Sequence, residues 1–152
     1  MKSARVYLLA TVGVCFGILL FPGSARANGL TGSAQISWLY PNTSTTFATD
    51  TLGVGSSLSC PGPSPICAGY AGLGIESFTL ASSSISYAAS QYPSGDFASA
   101  AFNGFDFTGL TFLGGESLIG FTLTTDIAGL TSSDVTFGPS SIAINLEGLP
   151  VN

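Results

Sequence analysis

The chain has 152 residues, 7% of them charged, with eight Asp or Glu against three Lys or Arg and no His. All three basic residues, Lys2, Arg5 and Arg26, fall before residue 27, so everything after them carries carboxylates and no cationic side chain. That balance excludes a Ser-His-Asp triad, an imidazole metal site, a phosphate clamp and a nucleic-acid surface, whose affinity comes from Lys and Arg neutralising phosphates.

The N-terminus has the three parts of a secretory leader: a basic start at Lys2 and Arg5, an apolar run over residues 6–21, and a breaker at Pro22-Gly23. Ala25-Arg26-Ala27 supplies an A-x-A motif, which predicts a signal helix within residues 1–27 that is cleaved before Asn28. The apolar run is shorter than the roughly 20 residues that a membrane span needs, so no stable membrane insertion is expected after cleavage. Cys15 does not read as a lipidation site, because Val14 precedes it and the run continues through Phe16-Gly17-Ile18. Residues 28–152 then suit a single domain in an oxidising compartment.

Along that domain, Ser, Thr, Gly and Ala alternate with β-branched and aromatic residues, and no window keeps a helical period. Strands are predicted at 34–40, with Ile36, Trp38 and Tyr40 in phase, and at 44–48 and 52–58. Cys60 and Cys67, the two cysteines left after cleavage, bracket a proline-rich segment and predict a disulfide worth roughly 2–3 kcal/mol in the chain-entropy model. Further strands are expected at 76–81, 84–89 and 99–102, and Asn103-Gly104 reads as a two-residue hairpin turn. The apolar phase of residues 105–112 changes at Gly109, which predicts a β-bulge there. The clearest strands are 117–125, with Ile119, Phe121 and Leu123 on one face, and 141–148, with Ile142, Ile144 and Leu146 on one face. Asp106-Phe-Thr-Gly-Leu-Thr111 recurs as Asp126-Ile-Ala-Gly-Leu-Thr131, which reads as two similar turns. The fold class that follows is all-β, an antiparallel β-sandwich of jelly-roll-like type.

Paired carboxylates are the one common catalytic scheme still open, with Asp50, Glu76, Asp96, Asp106, Glu116, Asp126, Asp134 and Glu147 as the acids. Asp96 and Glu116 sit beside turn residues and Glu147 lies on the polar face of its strand, so solvation explains them and no enzyme is expected. Weak Ca²⁺ binding is the metal alternative, with Asp126 and Asp134 as the candidate ligands; no other cofactor is implied. For carbohydrate, the aromatic platforms on offer are Trp38, Tyr40, Tyr70, Tyr87 and Tyr92. Trp38 shares a face with Ile36 and reads as core. Tyr70, flanked by Gly69 and Gly72, and Tyr92, before Pro93-Ser94-Gly95, are the candidate ligand-binding residues. Asn42-Thr43-Ser44 matches the N-glycosylation triplet and counts as a chance match.

The run 101–107, AFNGFDF, with Ser117-Leu118-Ile119-Gly120-Phe121-Thr122-Leu123 and residues 127–135, IAGLTSSDV, resembles a group of secreted Gram-negative bacterial proteins. In that group a Ser/Thr/Gly-rich β-domain precedes a PEP-CTERM sorting tail. The resemblance implies a setting at the cell surface or in an extracellular polysaccharide matrix, with no catalytic role. The tail itself is missing: the sequence stops at Gly148-Leu149-Pro150-Val151-Asn152, which implies release without anchoring or a shortened reading frame. The expected function is therefore a secreted, non-enzymatic structural or matrix-associated protein acting by self-association or weak polysaccharide contact. The alternatives are a carbohydrate-binding module and a calcium-dependent adhesion domain.

Overall fold

Segments with one apolar face become stable only when they pair and are covered. In the computed structural model, which describes residues 4–13, 29–70, 75–90 and 95–150, they form an antiparallel β-sandwich. Its strands are β1 (Ala4–Gly13), β2 (Leu30–Thr31), β3 (Ser33–Leu39), β4 (Thr46–Gly53), β5 (Ser56–Cys60), β6 (Ile75–Leu80), β7 (Ser84–Ser90), β8 (Gly104–Thr108), β9 (Thr111–Phe112), β10 (Ser117–Thr125), β11 (Val135–Gly138) and β12 (Ser141–Asn145). Short 3₁₀ helices cover Pro65–Tyr70 and Ser132–Asp134. The first sheet runs β10-β1-β7-β6-β5 and the second β11-β12-β8-β3-β4, with β2 and β9 paired as a small ribbon. Among the described residues no helix is long and apolar enough to cross a membrane.

The core is the facing surface of the two sheets. Phe78 of β6 and Tyr87 of β7 meet Phe105 of β8, with ring centroids 4.8 Å and 5.0 Å apart. Ile36, Phe107, Ile142 and Ile144 extend this layer on the second sheet, and Leu80, Ile85 and Leu118 on the first, all buried. Burying each such side chain contributes about 1.5–3 kcal/mol, so this layer dominates the stability. At one corner Cys60 and Cys67 form the expected disulfide, and both are buried.

Several strands differ from the sequence reading, each for a local reason. The stretch 52–58 is not one strand, because a turn at Val54-Gly55 ends β4 and starts β5 on the other sheet. β10 has the expected bounds but not the expected phase. Thr11 lies opposite Gly120 and Val12 opposite Leu118, leaving Ile119 as the extra residue of a bulge. Leu118 is therefore buried and Ile119 is 55% exposed, while Phe121 and Leu123 still pack on the core. Residues 99–102 form no strand, and Asn103-Gly104 is no hairpin turn, since Gly104 opens β8 opposite Leu39 and Asn145. A glycine is needed there for close approach, as a β-carbon would collide with the Ile144 carbonyl oxygen. At Gly109 the phase change is a strand end with φ of 71° rather than a bulge; Gly129, its counterpart in the repeated hexapeptide, has φ of 87°. Each of these glycines is followed by a buried leucine, Leu110 or Leu130.

Residues 4–13, read from sequence as part of a leader helix, are extended in the full chain and form β1 in the first sheet. Val6 and Leu8 are buried there with the period of two that a strand imposes. Residues 14–28, which hold the remainder of the leader and its cleavage motif, lie outside the described residues.

Candidate functional site

Because Phe105 and Phe107 of β8 face the core, Asp106 between them faces outward. It lies opposite Ala143 of β12 and Ser37 of β3, and these in turn lie opposite Thr136 of β11 and Thr49 of β4. One rung of the outer face therefore reads Thr136, Ala143, Asp106, Ser37, Thr49. The next reads Gly138, Ser141, Thr108, Gln35, Thr51. Ser37 Oγ donates to Thr49 Oγ1 at 3.4 Å and Thr108 Oγ1 to Gln35 Oε1 at 3.5 Å, one long, exposed bond within each rung.

The small Ala143 leaves a depression of roughly 300 Å³ between Asp106 and Thr136, lined also by Leu39, Thr43, Phe137 and Ser141. The loop after β3 brings Thr43 to its rim. That loop is fixed by Asn42, whose Oδ1 accepts from the Ser44 N–H at 2.9 Å and the Thr45 hydroxyl at 3.1 Å. Asn42 of the glycosylation triplet thus serves a local turn. Phe137 is 45% exposed and packs edge-on against Phe121 of β10 at 5.6 Å. Asp106 is half-buried, and desolvation holds its carboxyl above the ordinary carboxylate range. It is the one acid among the described residues that line the depression.

The sequence-predicted site residues fall elsewhere. Tyr92 lies outside the described residues, and Tyr70 closes the first 3₁₀ helix with its side chain also outside them. Asp126 follows β10 and Asp134 ends the second 3₁₀ helix. The Asp134 carboxylate caps that helix, accepting from the Thr131 N–H at 2.8 Å and its hydroxyl at 2.9 Å. Among the described residues, no group of three or more Cys, Asp or Glu gathers closely enough to hold a metal ion. Asp50 accepts from the Ser64 hydroxyl and from the Thr51 N–H at 2.7 Å, tying the disulfide loop to β4. Glu76 is fully buried, in phase with Phe78 and Leu80 on the inner face, and so is remote from the outer surface.

Of the aromatic platforms, Tyr87 is core and Trp38 is partly buried against it. Trp38 stacks at 4.6 Å on Phe47, which is 57% exposed, and its Nε1–H donates to Asn103 Oδ1 at 3.2 Å. Phe47 and Phe137 are exposed aromatics that sequence reasoning missed. Phe47 escaped because it is the bulged residue where Trp38 pairs with Ala48 and Leu39 with Thr46.

No family model matches this sequence, and neither a curated protein nor a solved structure matches it.

Proposed function

We propose that the chain is an exported, non-enzymatic structural protein of a polysaccharide-containing matrix, which touches glycan weakly through the outer face of its second sheet and associates with itself. The observation that carries this reading is the rung Thr136, Ala143, Asp106, Ser37, Thr49, in which hydroxyls surround a single half-buried carboxyl. A sugar ring offers hydroxyls that can exchange hydrogen bonds with such a surface. Without Lys, Arg or His beyond residue 26, an anionic glycan would be repelled, so the ligand class is neutral. Glycoside hydrolysis needs two carboxyl groups about 5–9.5 Å apart, and the depression supplies Asp106 alone among the described residues. The export setting follows from the leader motif and from the resemblance to PEP-CTERM-associated proteins.

Native gels containing neutral polysaccharides test the contact. The protein is retarded in at least one of them, and Asp106→Ala with Ser37→Ala abolishes the retardation; free migration in all of them refutes the glycan reading. Self-association is opposed by eight carboxylates at neutral pH, and protonation relieves that repulsion. Light scattering between about pH 7 and about pH 3.5 is expected to show particle growth as the carboxyls titrate. Unchanged particle size over that range refutes the association reading.

A further inference from the structure

The strand β1 lies inside its sheet, not at an edge. It pairs with β10 from Val6 opposite Thr125 to Gly13 opposite Ser117, and with β7 from Ala4 opposite Ala89 to Leu9 opposite Ser84. Leu8 sits between Ile85 and Leu123, and Val6 between Tyr87 and Thr125. Both side chains are buried, and Leu8 helps to close an apolar cavity lined by Leu30, Phe112, Leu118 and Ile142. Yet residues 1–27 carry the motif of a removable leader. Cutting them away would leave two unpaired strand edges facing each other across an opened core.

Direct closure of that gap is disfavoured by strand direction. β1 is antiparallel to both neighbours, so β7 and β10 run parallel to each other. Joining them would shift one by about 4.8 Å and insert a parallel pair, with its weaker slanted bonds, into an antiparallel sheet. β10 is also tied to the second sheet's last hairpin, since the Leu118 N–H donates to the Pro139 carbonyl at 2.8 Å. One inserted antiparallel strand satisfies both edges at once.

We propose that the gap between β7 and β10 is a strand-binding site, which after loss of residues 1–27 takes up an extended segment of a partner polypeptide in place of β1. The chemistry of the occupant is written in β1: apolar residues at the positions of Val6 and Leu8, and N–H groups free on both sides, which excludes proline from the paired stretch. An acid-only host further favours a neutral or basic segment. The proposal rests on the cleavage read from the leader motif, so the test makes that cut in vitro and stands apart from whether cells make it.

The full chain, carrying a protease-recognition sequence in place of residues 22–27, is folded, cut and passed through size exclusion. The N-terminal fragment is expected to co-elute with the remainder. After the fragment is stripped in urea and the remainder returned to buffer, a fluorescent peptide of residues 4–13 enters the cut protein with a rise in anisotropy and stays out of the uncut one. The same peptide with Val6→Asp and Leu8→Asp binds at least about tenfold more weakly, because it would bury two charges. A fragment that leaves on cutting while the labelled peptide finds no site overturns the proposal, as does binding indifferent to the two aspartates.

Discussion

Asn103 joins three parts of the second sheet's end, and its truncation can be worked out bond by bond. Its side chain is 5% exposed; Nδ2 donates to the Ala98 carbonyl at 3.0 Å and Oδ1 accepts from Trp38 Nε1 at 3.2 Å. Its main chain bonds separately, the N–H to Asn145 Oδ1 at 3.0 Å and the carbonyl to the Leu146 N–H at 2.8 Å. Asn103→Ala therefore removes two side-chain bonds and leaves the backbone pair in place. Ala98 is exposed and Trp38 partly so, which lets water take over, and each lost bond is then worth about 0.5–1.5 kcal/mol net. The expected loss is about 1–3 kcal/mol. Urea denaturation followed by fluorescence reads it directly, because Trp38 is the only tryptophan and its N–H changes partner in the same variant. Asn103→Asp sharpens the test, since an ionised carboxylate would face the Ala98 carbonyl with no proton to give. Burial and that carbonyl raise the new carboxyl's pKa in the folded state, so its stability deficit is present at neutral pH and shrinks as pH falls. An Asn103→Ala midpoint equal to wild type, or Asn103→Asp with a deficit independent of pH, would refute this account.

Gly104→Ala places a methyl group against the Ile144 carbonyl oxygen, a backbone atom that cannot rotate away, and is expected to cost at least about 2 kcal/mol in chemical denaturation. Asp106→Asn removes a carboxyl whose pKa is raised by desolvation, a group that favours folding below its unfolded pKa and loses that contribution as pH rises through the folded one. The variant should accordingly gain on wild type in thermal melts at neutral pH and lose that advantage in acid.

Alternation made the strands legible wherever a strand keeps its pleat. The bounds of β10 and the inward triplet Ile142, Ile144, Leu146 follow from period two alone. What alternation cannot carry is a phase slip fixed by a neighbour: Ile119 bulges because of its pairing with β1, and Phe47 because of its pairing with β3. Asn103-Gly104 failed for a different reason. The dipeptide has strong turn chemistry, but the Asn amide is used to hold Trp38 and Ala98, and the Gly is used for strand approach. The depression was invisible because its walls come from β8, β11, β12 and the loop after β3, which only the sheet order brings side by side. Tyr70 and Tyr92 were chosen for their flanking turn residues, a signal about loops and not about which surfaces converge.

The buried corner made by Cys60 and Cys67 has a kinetic consequence. Thiol exchange requires a thiolate to reach a sulfur in line, and these sulfurs belong to residues that are 1% and 4% exposed. A reductant must therefore wait for the segment between β5 and the first 3₁₀ helix to lift. The rate at which native protein loses its bridge, once it stops rising with reductant concentration, becomes a stopwatch for that one hinge, timed while the aromatic layer around Phe105 stays shut.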